Sequence, residues 1–243
     1  VKGKIDFISG LDNSYKDEII TNDGRLNEFY KDRIKMLRGP YLNTEYLAFF
    51  LKSEKNEIKS ELIRKAINIG FDKRKMLKFL RNGVGIPAEA GFIPSGLPGY
   101  KKNNINKYNT ELAKSYVSNY KEKYNSTPSL TLTTSSNYLD LCEFIQKELE
   151  KLGIEINIDV IPGSALKQAK ANGKLDFFRA SWIADYPDAE NYLSLFYSKN
   201  LAPDGPNYTH FSNDEYDRMY ENSLSETNPE KSKLLYQKMD SII

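Results

Sequence analysis

Residues 154–160, IEINIDV, alternate without a break: Ile154, Ile156, Ile158 and Val160 fall on one side, Glu155, Asn157 and Asp159 on the other. A two-residue period of this length is a half-buried β-strand. Before it, Leu139, Cys142, Ile145, Leu149 and Leu152 mark one face of a helix that Gly153 ends. Earlier still, Leu130 and Leu132 alternate with threonines in another strand. A strand, a helix and a strand in so short a span read as a parallel pair joined by a crossover, so the chain must contain an α/β layer. A short helix over Ser164–Ala171 and the strand LDFFRA, Leu175–Ala180, extend that layer.

Upstream, KIDFIS (Lys4–Ser9) reads as a short strand. KMLRGPYLNTEYLAFFL (Lys35–Leu51) carries two apolar runs broken at Gly39-Pro40, which predicts two more strands. ELIRKAINI (Glu61–Ile69) has near-helical apolar spacing; Gly70 closes it, and Asp72 caps a second helix through Leu80. Residues 83–99, GVGIPAEAGFIPSGLPG, hold five glycines and three prolines, so a long irregular loop is expected, a kind of segment that is often functional. Gly91 and Gly96 have the spacing of a phosphate loop, but Leu97-Pro98 stands where Lys-Ser/Thr is required, and that reading fails. Residues 101–107, KKNNINK, read as a polar linker. Ser212 to Glu215 reads as a capping box, and Asn228-Pro229 as an N-cap followed by proline at the first helical position.

Thirty-five basic side chains stand against 33 acidic ones in 243 residues, interspersed and with a net charge of +2. No basic block of the kind that marks a nucleic-acid footprint is present, and no nucleic-acid partner is expected. A single cysteine, Cys142, excludes an intrachain disulfide or a CxxC site, and a single histidine, His210, excludes two-histidine zinc sites. No metal site and no cofactor are therefore expected. No apolar run reaches the roughly 18 residues that span a bilayer. Seventeen tyrosines and twelve phenylalanines point to an aromatic core and hint at a pocket lining. Val1 is not a start methionine, and the stripe Leu234, Leu235, Met239, Ile242, Ile243 ends without a cap. Both ends are expected to be cuts in a longer protein.

Catalytic constellations are weak. A Ser-His-Asp triad would need His210, which in NYTHFS reads as a structural histidine. Asp185 and Asp188 are a candidate carboxylate pair for glycoside hydrolysis. Asp214, Glu215 and Asp217 suit a helix start. Nothing here is a catalytic signature, and no enzyme is expected.

RASWIADYPDAENYLSLF, Arg179–Phe196, asks for a different explanation. Asp185 follows an apolar strand and precedes the rigid Tyr186-Pro187, a partly dry setting in which a carboxylate needs a cation or several donors. One reading is an internal partner, by a salt bridge to Arg179 or an Asx-turn at the Pro187 corner. The other is a ligand's ammonium group, with Trp182 as an apolar, π-faced wall beside it. Trp182 also suits simple core packing. Arg179 to Ile183 continue the LDFF strand beyond its apolar part. Their N–H and C=O groups are expected on an open edge where an extended peptide pairs as an added strand.

DFFRASWIADYPDAENYLSLF resembles the solute-binding proteins of peptide ABC transporters, the oligopeptide and dipeptide binding family (extracellular solute-binding family 5). GPYLNTEYLAFFL, ELIRKAINIGFDKRKM and GVGIPAEAGFIPSGLPGY are similar to that family's aromatic strand, helix and GxPA loop. NYTHFSNDEYDRMYENSLSETNPEKSKLLYQKMD is similar to its two later helices. The motifs occur in the family's order over nearly the whole chain.

The resemblance implies an α/β, periplasmic-binding-protein-like (class II) lobe with a mixed sheet flanked by helices. Residues 1–243 would be a single lobe, the isolated C-terminal lobe of a two-lobe receptor that binds short peptides without catalysis. Asp185 falls where the family's aspartate binds the peptide's α-ammonium, and Trp182 on the tryptophan beside it. Ser181 to Ile183 fall on the strand that pairs with peptide backbone, and Arg179 on an arginine that meets the peptide's carboxylate in some members. Ser181 replaces the common glycine, Phe50 stands where asparagine is common, and Lys65 where glutamine is common. Branches of the family take oligosaccharides, nickel or haem instead. The implied partners are the ABC permease and the first lobe of the same protein. The implied location is extracytoplasmic, in the periplasm or held to the membrane by a lipid on the missing N-terminal part.

Overall fold

The alternating run becomes a strand over Glu155–Val160, with Ile154 and Ile156 buried and Val160 at the exposed strand end. This strand belongs to a computed structural model that describes residues 5–8, 13–39 and 41–243. In chain order the elements are α1 (Asn13–Ile19), β1 (Asn43–Phe49), α2 (Asn56–Lys59), α3 (Glu61–Ile69), α4 (Lys73–Leu80) and α5 (Thr110–Tyr124). They continue as β2 (Ser129–Thr134), α6 (Leu139–Glu150), β3 (Glu155–Val160), α7 (Gly163–Ala171) and β4 (Phe177–Ile183). Helices α8 (Glu190–Leu193), α9 (Asp214–Ser225) and α10 (Pro229–Asp240) follow. The residues group into two compact units, 1–40 with 72–87, and 41–71 with 88–243.

In the first unit, α1 and α4 are tied by the Lys16 Nζ donating to the Leu80 carbonyl at 3.1 Å. Asn82, buried and left-handed, donates its side-chain amide to the Ile20 carbonyl and to Asp17 Oδ1, both at 3.0 Å. Asp72 caps α4 as expected, accepting from the Lys75 amide at 2.9 Å.

The second unit is built on a four-stranded mixed sheet in the order β1-β4-β2-β3. β2 pairs parallel with β3 and with β4, while β1 runs antiparallel to β4. The βαβ reading therefore holds, because Cys142, Ile145 and Leu149 of α6 are buried. Helix α3 ends at Gly70, where a Cβ would lie 2.7 Å from Leu152 Cδ1, so only glycine lets the two helix ends approach.

A separate core lies under α8, α9 and α10. Tyr192, Tyr197, Tyr216, Tyr220 and Tyr236 pack there with Ile93, Leu97 and Met239. Each buried phenol needs a partner, and Tyr216 donates to the Leu193 carbonyl at 2.7 Å and Tyr192 to the Leu42 carbonyl at 2.5 Å. The high tyrosine content thus has a packing explanation.

Four local expectations are corrected. Residues 5–8 of KIDFIS are not a strand, and Lys4 and Ser9 lie outside the described residues. Of the two strands expected over Lys35–Leu51 only β1 forms. Met36 and Leu37 are too few to anchor a strand, Leu37 is exposed, and Pro40 lies outside the described residues. The cap of α9 is Asn213, which accepts from the Tyr216 amide at 2.9 Å, one residue after the expected Ser212. The strand expected from Leu175 begins two residues later, at Phe177, while its continuation to Ile183 is as expected, with β1 paired along its whole length.

Candidate functional site

β4 is an interior strand for its first two residues and a half-open one after that. In the β1–β4 ladder Asn43 faces Ile183 and Glu45 faces Ser181. The Ala184 amide donates to the Leu42 carbonyl at 2.9 Å, which makes 42 and 184 a hydrogen-bonded pair. Such pairs alternate in an antiparallel ladder, so Trp182 and Ala180 turn their backbone groups to β1, and Ser181 and Ile183 turn theirs away. On that far side β2 is in register only at Leu132↔Phe177 and Thr133↔Phe178. The open edge expected for Arg179–Ile183 is thus closed on one side by β1. On the other, among the described residues, no strand covers Ser181 and Ile183.

Trp182 is half-buried against the tyrosine core, and its indole Nε1 donates to Asn191 Oδ1 at 2.7 Å. The same oxygen accepts from the Asp185 amide at 3.3 Å. Asn191 is 5% exposed, so this one acceptor fixes both residues from beneath. Asp188 Oδ1 accepts from the Glu190 amide at 2.8 Å, which makes the Asx-type turn of this corner the property of Asp188. Glu190 in turn accepts from the Tyr186 and Tyr220 hydroxyls; the bond and then burial raise Tyr186 above the usual tyrosine range, and burial and then the bond raise Tyr220.

Asp185 itself is exposed, as are Tyr186 and Pro187, which corrects the expectation of a partly dry setting. The Tyr-Pro corner points outward and does not cover the carboxylate. Neither internal partner is realised: among the described residues no cation or side-chain donor meets it, and Arg179 is engaged elsewhere. A carboxylate held by its backbone but unpartnered at its oxygens can take an ammonium group at little cost in rearrangement.

Arg179 lies on the opposite sheet face from Trp182. It pairs with Glu45, and its guanidinium carbon sits 3.2 Å from the centre of the Tyr138 ring. Nearby, Lys170 of α7 lies 5.1 Å from the Tyr208 ring centre. Burial, then the charge of Arg179, hold this amine below the ordinary lysine range. Burial likewise pushes the Cys142 thiol up, so it is an inert core residue. The ring nitrogen Nε2 of His210 is enclosed without a hydrogen-bond partner, and the ring packs edge-on against Phe50 at 4.9 Å.

The structure thus brings Ser181, Trp182, Ile183 and Asp185 to one end of β4 and places Arg179 in an ion pair. Asn191, Glu45 and Tyr138 were not singled out by the sequence. Asn191 contacts Trp182 and Asp185 across a turn, and Glu45 meets Arg179 through strand register, neither of which leaves a spacing signal.

An open strand edge, an indole and an unpartnered carboxylate thus meet at one end of β4, set by strand register and by Asn191. The chain belongs to the bacterial extracellular solute-binding proteins of family 5. The family model described as "Bacterial extracellular solute-binding proteins, family 5 Middle" matches residues 1–204. Among curated relatives, the probable D,D-dipeptide-binding periplasmic protein DdpA of Escherichia coli K12 is 24% identical over 217 residues, 88% of this chain and 41% of that protein. Heme-binding protein A of Haemophilus influenzae is 23% identical over 218 residues, 87% of this chain and 39% of that protein. The chain therefore spans about two fifths of the length of these relatives. Among solved structures, the periplasmic binding protein DppA of Helicobacter pylori, in complex with the peptide STSA, superposes with a TM-score of 0.75. It is 24% identical and covers 84% of this chain and 40% of that one, which establishes the fold.

Proposed function

We propose that residues 1–243 supply the second, peptide-binding lobe of an extracytoplasmic receptor that delivers short peptides to an ABC importer. The observation that carries this reading is the unpartnered Asp185 carboxylate at the end of a half-open strand edge. In this reading Asp185 takes the ligand's α-ammonium and Trp182 walls it. Ser181 and Ile183 offer their N–H and C=O groups to the peptide backbone. Backbone pairing is blind to side chains, so sequence preference is broad. The first lobe closes over the ligand by a hinge, and the lobe performs no catalysis. Similarity to DdpA, a probable D,D-dipeptide-binding protein, supports the peptide class. A haem ligand, the class named for heme-binding protein A, has less support here, since Cys142 is buried and His210 Nε2 is enclosed.

The test is calorimetry on the complete two-lobed protein with tri-alanine as the ligand. Asp185→Ala is expected to weaken binding by about 2–5 kcal/mol, typical of truncating one partner of a buried charge pair. Unchanged affinity removes Asp185 from the site. Thermal shift with a maltooligosaccharide, nickel and haem in parallel separates the other solute classes; stabilisation by one of these and not by tri-alanine overturns the peptide reading.

A further inference from the structure

Arg179 is the only charged residue of β4, and Glu45 already occupies it. Leu47 faces Arg179 and Glu45 faces Ser181, so residues 45 and 179 are diagonal neighbours on one face of the antiparallel pair. One Glu45 oxygen pairs with the guanidinium, and the other accepts from the Asn43 Nδ2 amide at 2.8 Å. The Arg179 side chain is 13% exposed and that of Glu45 42%, so the carboxylate is the outer member and covers the cation. Tyr138 stacks on the guanidinium, and Arg179 Nε is enclosed without a partner, so this donor does not reach the surface.

We propose that Glu45 sets the ligand specificity of this edge: by neutralising Arg179 it removes the cation that a ligand's carboxylate would need there. The lobe then reads a peptide by its amino end. At Arg179 it is indifferent to whether the far end is a free acid or a blocked one. The inference rests on the peptide reading above and departs from the role that the family resemblance implies for Arg179. A ligand carboxylate reaching Arg179 would have to displace Glu45, exchanging one charge-assisted pair for another with little net gain. With the charge of Glu45 removed, the outer amino groups of the guanidinium keep their donors and face no anion, and an incoming carboxylate gains the full bond. Glu45 acts through Arg179 and not on the ligand.

The test titrates the complete protein with tri-alanine and with tri-alanine amide. The proteins are wild type, Glu45→Gln, Glu45→Asp and the double variant Glu45→Gln with Arg179→Gln. The readout is the ratio of the two dissociation constants, which a general loss of fold stability does not move because both affinities fall together. E45Q is expected to shift the ratio about tenfold or more toward the free acid, the scale of one charge-assisted bond. E45D keeps the pairing charge and is expected to stay within about threefold of wild type. E45Q/R179Q removes both charges of the pair and is expected to leave the ratio within about threefold as well, and it carries the test alone where E45Q, with its unpaired guanidinium, does not fold. An unchanged ratio in E45Q, or a tenfold loss of the acid's advantage in E45Q/R179Q, overturns the proposal. Failure of wild-type protein to bind either form overturns the peptide reading itself, and this inference with it.

Discussion

At the residue scale the geometry of the candidate site hangs on one amide oxygen. Asn191 Oδ1 accepts from both the Trp182 indole and the Asp185 amide, so the wall and the charge are set by a single buried residue. Trp182 is the only tryptophan of the chain, and its emission therefore reports this bond directly. Asn191→Leu leaves the indole N–H without an acceptor and is expected to cost about 1–3 kcal/mol of stability, the price of an unmade buried bond. Its emission is expected to shift, while Asn191→Asp, which keeps an acceptor at the same place, retains the wild-type spectrum. Fluorescence spectra identical in N191L and wild type would show that the bond does not hold the indole. The sequence made Trp182 and Asp185 stand out because their types are costly together. It was silent on Asn191, which reaches Trp182 from nine positions away through a turn.

At the scale of elements, the loop of residues 83–99 shows how punctuation and packing combine. Glycines and prolines announced an irregular loop, but not that its second half is core, with Ile93 and Leu97 buried. What holds it is Asp240 near the end of α10, which accepts from the Phe92 and Ile93 amides at 2.6 and 3.1 Å. A Cβ on Gly91 would overlap that carboxylate, so Gly91→Ala is expected to destabilise by about 1–3 kcal/mol, measured by urea unfolding. Burial raises the Asp240 carboxyl above its ordinary range. For an acid with a raised folded-state pKa, the stabilisation is complete below the unfolded pKa and is lost as pH rises through the folded one. Asp240→Asn keeps an acceptor without the charge and is expected to remove that part of the pH dependence; denaturation curves above pH 4 that fall in parallel for both proteins contradict this. The periodic elements α3, α6, β2 and β3 were legible because burial on one face imprints a period. The β1–β4 register was not, because two strands far apart in sequence choose each other through tertiary packing. That register decides both which side of β4 is open and which carboxylate holds Arg179.

For the whole molecule, the chain carries a family 5 fold and spans about two fifths of the length of these relatives; in the function proposed above it holds half of a cleft. Among the described residues no helix is long and apolar enough to cross a membrane. The chain on its own is expected to hold tri-alanine weakly, since one face of a closed site supplies part of the contacts; submicromolar binding by it contradicts the two-lobe reading. The central claim is that the partner of Asp185 is the ammonium end of a ligand, and N-terminal acetylation of the ligand tests it most directly. In the complete protein, calorimetry of tri-alanine and N-acetyl-tri-alanine is expected to show a loss of about 30-fold or more on acetylation, the scale of a charge-assisted bond of about 2 kcal/mol. The same loss should shrink to within about threefold in Asp185→Ala, where the charge is already gone. Equal binding of the two peptides by wild-type protein, or an undiminished loss in the variant, would contradict the account.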